Sequence, residues 1–341
     1  MQAEALQAPQ VVARLLAADE TTYRALAADL LADEPQALVT VARGSSDHAA
    51  HYMAYLVMSR LGRLVTSLPM SLVTLYPARL RCNGLVSLAF SQSGQSPDLV
   101  APTRFFGAGG ARTVAFVNDT ASPLAGASQW VLPLHAGVEA SVAATKSFIA
   151  QLAAGARLVA TWQAQAKEAD ASLLAALAAL PAALDAAAGC DWQAALPVLA
   201  AADRLLVIGR GPGLAVAMEA ALKLKETCGL QAEAFSGAEL RHGPMALVDE
   251  GYPVLIFAPR GPAQAGLLEL ARDLRQRGAR VLLAAPAGTA GAELTLVTTA
   301  HEDLDPIAAI QSFYPMVERL ARERGLDPDA PRHLAKVTRT R

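Results

Sequence analysis

Cysteine is scarce in this chain of 341 residues: Cys82, Cys190 and Cys228 are scattered, with no CxxC pair. That pattern argues against a disulfide framework and a thiolate zinc site, and it fits a reducing compartment. Charge is also sparse, at 18% of residues, and the two signs nearly cancel to a formal −2. A chain without a basic excess has no field for nucleic acid or an anionic membrane surface, so any phosphate it binds must be held by local donors. No apolar run approaches the roughly eighteen residues of a membrane span. The opening MQAEALQAPQVVARLL lacks a basic segment leading into an apolar core, so it does not read as a signal peptide. Two nucleotide signatures are missing too: no glycine-rich turn ends in Gly-Lys-Ser/Thr, and neither half of the chain shows GxGxxG. The expectation is a soluble cytoplasmic protein that binds neither nucleic acid nor membrane.

Apolar residues, by contrast, make up 53% of the chain, enough for a large core, and the length suits two domains. Short apolar runs bounded by glycine alternate with helical stretches. Ala37–Ala42, Gly84–Phe90, Thr113–Val117, Trp130–Leu134 and Leu205–Ile208 read as strands, and Leu64–Ser67 as an edge strand. Helices are expected in residues 1–34 (one or two), over Asp47–Leu61, from Ser96-Pro97-Asp98, where a cap, a proline and an acid open the turn, and from about Ala143. Another is expected over Leu214–Thr227, whose Ala, Leu, Glu and Lys are good helix formers.

The two halves repeat. An Arg-Gly pair follows the first strand of each half, at Gly44 and at Gly211. Fifty residues later a second glycine, Gly94 or Gly261, closes LAFSQSG or LIFAPRG. Gly110-Ala111-Arg112 and Gly278-Ala279-Arg280 then precede the next strand. Strands alternating with helices imply two copies of one α/β unit, each a parallel sheet covered on both faces. The expected boundaries are leading helices over 1–34, a first domain over 35–165, a helical linker over 166–195, a second domain over 196–328 and a tail over 329–341.

The copies differ where chemistry is expected. The first has hydroxyl-rich turns, Gly44-Ser45-Ser46 and Ser91-Gln92-Ser93-Gly94-Gln95-Ser96. The second loop joins a strand to a helix, where free N–H groups and the positive end of the helix dipole suit a small phosphate monoester. A serine-rich loop that merely caps a helix is the other reading. In the second copy, Glu219, Lys223 and Glu226 fall on one helical stripe, and Glu239 and His242 follow in a turn. A solvated face of Glu–Lys pairs would look the same. Because Leu205–Ile208, the glycine turn and this helix make half of a βαβ unit, the ligand is expected at the carboxyl end of the strand.

Taken in order, SQSGQS, SVAATKSF, EAALKLKE, AEAFSGAELRHGP and HLAK resemble the double sugar-isomerase (SIS) domain family. The likeness runs over nearly the whole chain, to the isomerase half of glucosamine-6-phosphate synthase and to the stand-alone glucosamine-6-phosphate deaminases. It implies two tandem SIS domains in an α/β fold, each a flavodoxin-like three-layer α/β/α unit. It implies that Ser45, Ser46, Ser91, Gln92, Ser93 and Ser96 hold the sugar phosphate, with Val142 and Ala335 beside the sugar. Glu226 would carry the proton between C1 and C2, supported by Glu219 and Lys223. His242 would open the sugar ring in the neighbouring subunit's site, and Lys336 would approach the carbonyl carbon. A homodimer with a shared active site follows from that role of His242. No metal or cofactor is expected, since proton transfer between adjacent carbons needs a positioned carboxylate and ring opening a histidine.

Two departures from the synthase point to the deaminase branch. With the first strand expected by about residue 37, no glutaminase is expected ahead of it, and Ala144 stands where the synthase typically has serine, beside an ending, VTRTR, that also differs. The expected reaction is glucosamine 6-phosphate to fructose 6-phosphate and ammonia. The alternatives are an isomerase-type relative acting on galactosamine or fructosamine phosphate, akin to glutamine–fructose-6-phosphate transaminase (isomerizing), and a non-catalytic sugar-phosphate sensor.

Overall fold

The computed structural model describes residues 1–76, 78–167 and 169–336, and the chain divides into two compact units. The VTRTR ending lies outside the described residues. The first unit comprises residues 10–139 and 146–178 together with Ala335 and Lys336. The second comprises residues 1–9, 140–145 and 179–334.

Three helices, rather than one or two, occupy the leading segment: Gln2–Ala5, α1 (Ala8–Ala17) and α2 (Glu20–Ala32). Pro9 sits in the first turn of α1, where its missing N–H costs nothing, and so divides the run into separate helices. The first sheet then forms from β1 (Ala37–Val41), β2 (Val65–Ser67), β3 (Leu85–Ser91), β4 (Arg112–Val117) and β5 (Trp130–Pro133). Between them run α3 (Ser45–Leu61) and α4 (Pro97–Ala108), and after them α5 (Lys146–Gln165) and α6 (Ser172–Leu177). All pairings are parallel and the strand order is β2-β1-β3-β4-β5. In register, Val39 faces Thr66 on one side and Ser87 on the other. β3 is buried from Val86 to Ser91, as a strand covered on both faces must be, and Phe90 stacks on Phe116 with centroids 4.2 Å apart. α5 begins later than its sequence periodicity suggests, because Ser141–Thr145 stays irregular. It packs closely on α3 at Gly155, where a Cβ would stand 3.1 Å from that of Met53.

The second unit repeats the plan. After the helix α7 (Leu180–Ala188) come β6 (Arg204–Gly209), α8 (Gly213–Cys228), β7 (Gln231–Ser236), β8 (Pro253–Phe257), α9 (Gln264–Gln276), β9 (Arg280–Pro286), β10 (Leu294–Leu296) and α10 (Asp305–Glu323). The order β10-β9-β8-β6-β7, again all parallel, is that of the first sheet strand for strand. The repeated glycine landmarks therefore mark repeated topology. Trp192, Phe257 and Phe313 pack with centroids 5.9 to 6.4 Å apart and tie α10 to this sheet. No helix among the described residues is long and apolar enough to cross a membrane.

Candidate active site

In a sheet ordered 2-1-3-4-5, neighbouring crossovers diverge between the first and third strands, which opens a crevice outside their carboxyl ends. The hydroxyl-rich loops of the first unit are those that leave β1 and β3. Gly44, at φ +54°, turns the chain out of β1, and α3 starts directly at Ser45 and Ser46. The Ser46 hydroxyl accepts a hydrogen bond of 2.9 Å from the Gln151 amide of α5. On the other side, the Ser91 hydroxyl accepts from the Gly94 N–H at 3.0 Å and the Ser93 hydroxyl from the Gln95 N–H at 3.3 Å, so the loop curls on itself. Gly94 has φ +65°, and a Cβ there would run into Ser122. Ser96 stands at the N-cap of α4, but its side chain makes no capping bond; only its carbonyl receives the N–H groups of Leu99 and Val100. Its hydroxyl is thus not spent on the helix. Two helix N-termini and this set of hydroxyls flank one switch point, a natural seat for an oxyanion.

Gln92 lines an open cleft of about 740 Å³ that also meets Asn118, His135 and Glu139. Glu139 is a residue that sequence reasoning missed. It is buried, and it accepts from both the Ser147 N–H, at 3.2 Å, and the Ser147 hydroxyl, at 2.5 Å. The oxygen that takes the Ser147 hydroxyl, Oε2, also meets the Lys336 ammonium at 3.5 Å. The tail lysine is thereby held by a carboxylate within the unit that carries the serine loops, and Ala335 is exposed beside it. The segment GVEAS gave no periodic signal; a lone acid ahead of a serine-rich loop was the one available clue.

The second unit carries the acid–base stripe. Along α8, Lys223 is 1% exposed and pairs with Glu226 at 2.5 Å and with the fully buried Glu219 at 3.4 Å. Burial alone would lower the Lys223 pKa, but Glu219 and then Glu226 override it and hold the ammonium above the ordinary lysine value. This is not a solvated face of Glu–Lys pairs, since two of its three members are inside the protein. Glu226 alone reaches outward, with 21% of its side chain exposed, into a cleft of about 640 Å³ lined also by Lys225, Arg324, Asp327 and Arg332. Val142 belongs to the same unit and donates its N–H to the Asp329 carbonyl at 3.2 Å.

Glu226 does not lie at the carboxyl end of β6, where a βαβ unit seats its ligand. It sits in the last turn of α8, thirteen residues or about 20 Å along the helix from the glycine turn. His242 is at the other end. It closes a short 3₁₀ turn, Glu239–His242, beyond the carboxyl end of β7, where Leu240 packs with Ile208 and Ile256. A six-residue strand separates that end from the chain reversal next to Glu226, again about 20 Å. Glu239 and His242 are both exposed. Within one unit, then, the histidine and the carboxylate stand apart.

Residues 30–160 and 198–299 match the family model of the SIS domain. The glutamine–fructose-6-phosphate aminotransferase (isomerizing) of Zymomonas mobilis is 32% identical over 98% of this chain and 58% of its own length. With 51% of the Bradyrhizobium diazoefficiens relative also covered, the chain spans about half the length of the curated relatives it matches. A solved structure from Silicibacter pomeroyi DSS-3, described as a candidate phosphosugar isomerase, is 46% identical with a TM-score of 0.89, over 96% of this chain and 99% of that one. The glucosamine-6-phosphate deaminase of Thermotoga maritima has a TM-score of 0.69 at 19% identity, covering 97% of this chain and 100% of that one, a likeness of fold.

Proposed function

The chain belongs to the SIS domain family, and on that footing we propose that it is a sugar-phosphate isomerase-type enzyme acting on an amino sugar 6-phosphate. The observation that carries this reading is the α8 stripe: a partly exposed carboxylate held by a buried lysine that a second, buried carboxylate keeps charged. A base that must both take and return a proton has to be held in place yet reach the substrate, and Glu226 meets both needs. Lys223 donates to it at 2.5 Å, and α8 fixes its position. The serine loops at the β1/β3 switch point would take the phosphate. Lys336, steadied by Glu139, would stabilise the negative charge that develops on the carbonyl oxygen as the C2 proton leaves.

His242 would open the ring, and we assign it to the site of a second copy of the chain. The support is its place beyond the carboxyl end of β7, about 20 Å by strand length from the end at which Glu226 stands.

The named relatives favour isomerisation over ammonia release as the outcome. The relative covering nearly all of this chain carries isomerisation in its name, while the deaminase is similar in fold alone. The test is a panel of glucosamine, galactosamine and fructosamine 6-phosphates in D₂O, followed by proton NMR with a parallel ammonia assay. Solvent deuterium should enter C1 or C2 of at least one phosphorylated sugar and of no unphosphorylated one. Exchange without ammonia marks the isomerase, exchange with ammonia the deaminase. No exchange with any of the panel contradicts the reading.

A further inference from the structure

Away from the serine loops, the first unit holds a cavity of about 370 Å³ among α1, α2, α5 and α6, lined by Leu16, Tyr23, Arg157, Thr161, Leu174 and Leu177 among others. Its lower wall is a buried cation. Arg157 is 5% exposed, and no carboxylate lies within ion-pair distance of it among the described residues. Its hydrogen bonds there come from Nη1 alone, at 2.5 Å to the Leu15 carbonyl and 2.6 Å to that of Ala18. Its Cζ stands 4.2 Å from the centroid of the Tyr23 ring. Tyr23 is 1% exposed, and its buried hydroxyl donates to no acceptor, while the Arg157 guanidinium and, more weakly, Asp19 act on it from close by. At the rim, Glu20 and Arg24 pair with each other at 3.2 Å and cancel. The lining thus carries one uncompensated positive charge.

Two carbonyls and a ring face offset part of the cost of burying a guanidinium, but neither supplies a counter-charge. A phenol that donates to no acceptor in the same wall adds a second unmet donor. A guanidinium with spare N–H groups matches a carboxylate, which it can bind by two parallel hydrogen bonds. The opposite wall is aliphatic, and the volume falls at the small end of ligand sites. A dianion such as a phosphate monoester would leave a negative charge unbalanced here.

We propose that this cavity binds a small organic monocarboxylate, with Arg157 and Tyr23 taking the carboxylate and Leu16, Leu174 and Leu177 a short apolar body. The site shares no residue with the isomerase reading and stands independently of it. Arg157 lies on α5 ten residues beyond Ser147, about 15 Å along the helix that also carries Gln151.

Hexanoate and phenylacetate are suitable probes, with hexanol and 2-phenylethanol as neutral counterparts of similar shape. Calorimetry on the full chain should show saturable binding of at least one carboxylate, with a raised Tm, and at least about tenfold weaker binding of its alcohol. Arg157→Gln could unfold the unit by freeing the Leu15 and Ala18 carbonyls, so two gentler variants carry the test. Tyr23→Phe should weaken carboxylate binding several-fold. Ala164→Leu, which fills the cavity from α5 with a good helix former, should abolish it while the native far-UV spectrum is kept. Equal affinity for acid and alcohol, no saturation by about 10 mM carboxylate, or unchanged binding in Ala164→Leu would each overturn the proposal.

Discussion

Lys223 shows why single residues here cannot be read from residue type. An ammonium buried between Glu219 and Glu226 is worth little as a net stabiliser, but removing it strands a carboxylate in the interior. Lys223→Met is therefore expected to destabilise the fold by about 3–5 kcal/mol, measured by urea unfolding. In wild type the Lys223 pKa is raised, so its contribution is fully present below the ordinary lysine pKa and fades only as pH rises through the higher folded value. In the variant that contribution is gone, and with it the decline in stability at high pH. Adding Glu219→Gln, which removes the stranded carboxylate, should recover most of the loss. If Lys223→Met unfolds like wild type, the stripe is not a coupled unit. The stripe was legible because three charges at helical spacing share one face; its burial was not, because Ala and Leu flank it on a helix that could equally have faced solvent. Glu139 was invisible for a different reason, since its partner Ser147 is brought to it by loop geometry that has no period. At the serine loop, Ser93→Ala should raise KM for the phosphorylated sugar by the equivalent of about 1.5–3 kcal/mol with little change in kcat. An unchanged KM would remove the phosphate from this loop.

Among the elements, the turn from β6 into α8 leaves no room for a side chain. A Cβ on Gly209 would overlap the Gly213 carbonyl, which is backbone and cannot swing aside, whereas one on Gly44 would meet nothing within 4 Å. Gly209→Ala should thus lower the urea midpoint by the equivalent of about 1–3 kcal/mol or more. Gly44→Ala should cost only the backbone strain of its positive φ, about 1 kcal/mol. Equal effects would mean that the turn relaxes freely. Element positions were legible because glycine and proline punctuate short apolar runs: β1, β3 and α8 end within three residues of where those marks fall. α5 was not, because SVAAT contains enough alanine to look helical but serves as a loop.

For the whole molecule, the duplication was legible from glycine spacings, since a repeated unit must repeat its turns. The end of the second unit at which Glu226 stands was not, because a βαβ rule places ligands at strand ends and is silent about a charge carried at the far end of the crossover helix. That displacement, with His242 left at the opposite end of the sheet, motivates a test of the shared site. Subunits carrying His242→Ala and Glu226→Gln, each inactive alone, should regain about a quarter of wild-type sites after dissociation and random mixing, because a two-fold interface leaves each mixed dimer one intact site. Mixed dimers verified by mass that stay inactive would put both residues in one chain's site. The account as a whole rests on Glu226 as the carrier of the C1–C2 proton, and its most direct measurement is the rate at which the C2 proton of the bound amino sugar 6-phosphate exchanges with D₂O in Glu226→Gln. The substitution keeps the shape and removes the base, so binding should persist while exchange falls by about 10²–10⁴; exchange near the wild-type rate would contradict the account and move the base to another residue.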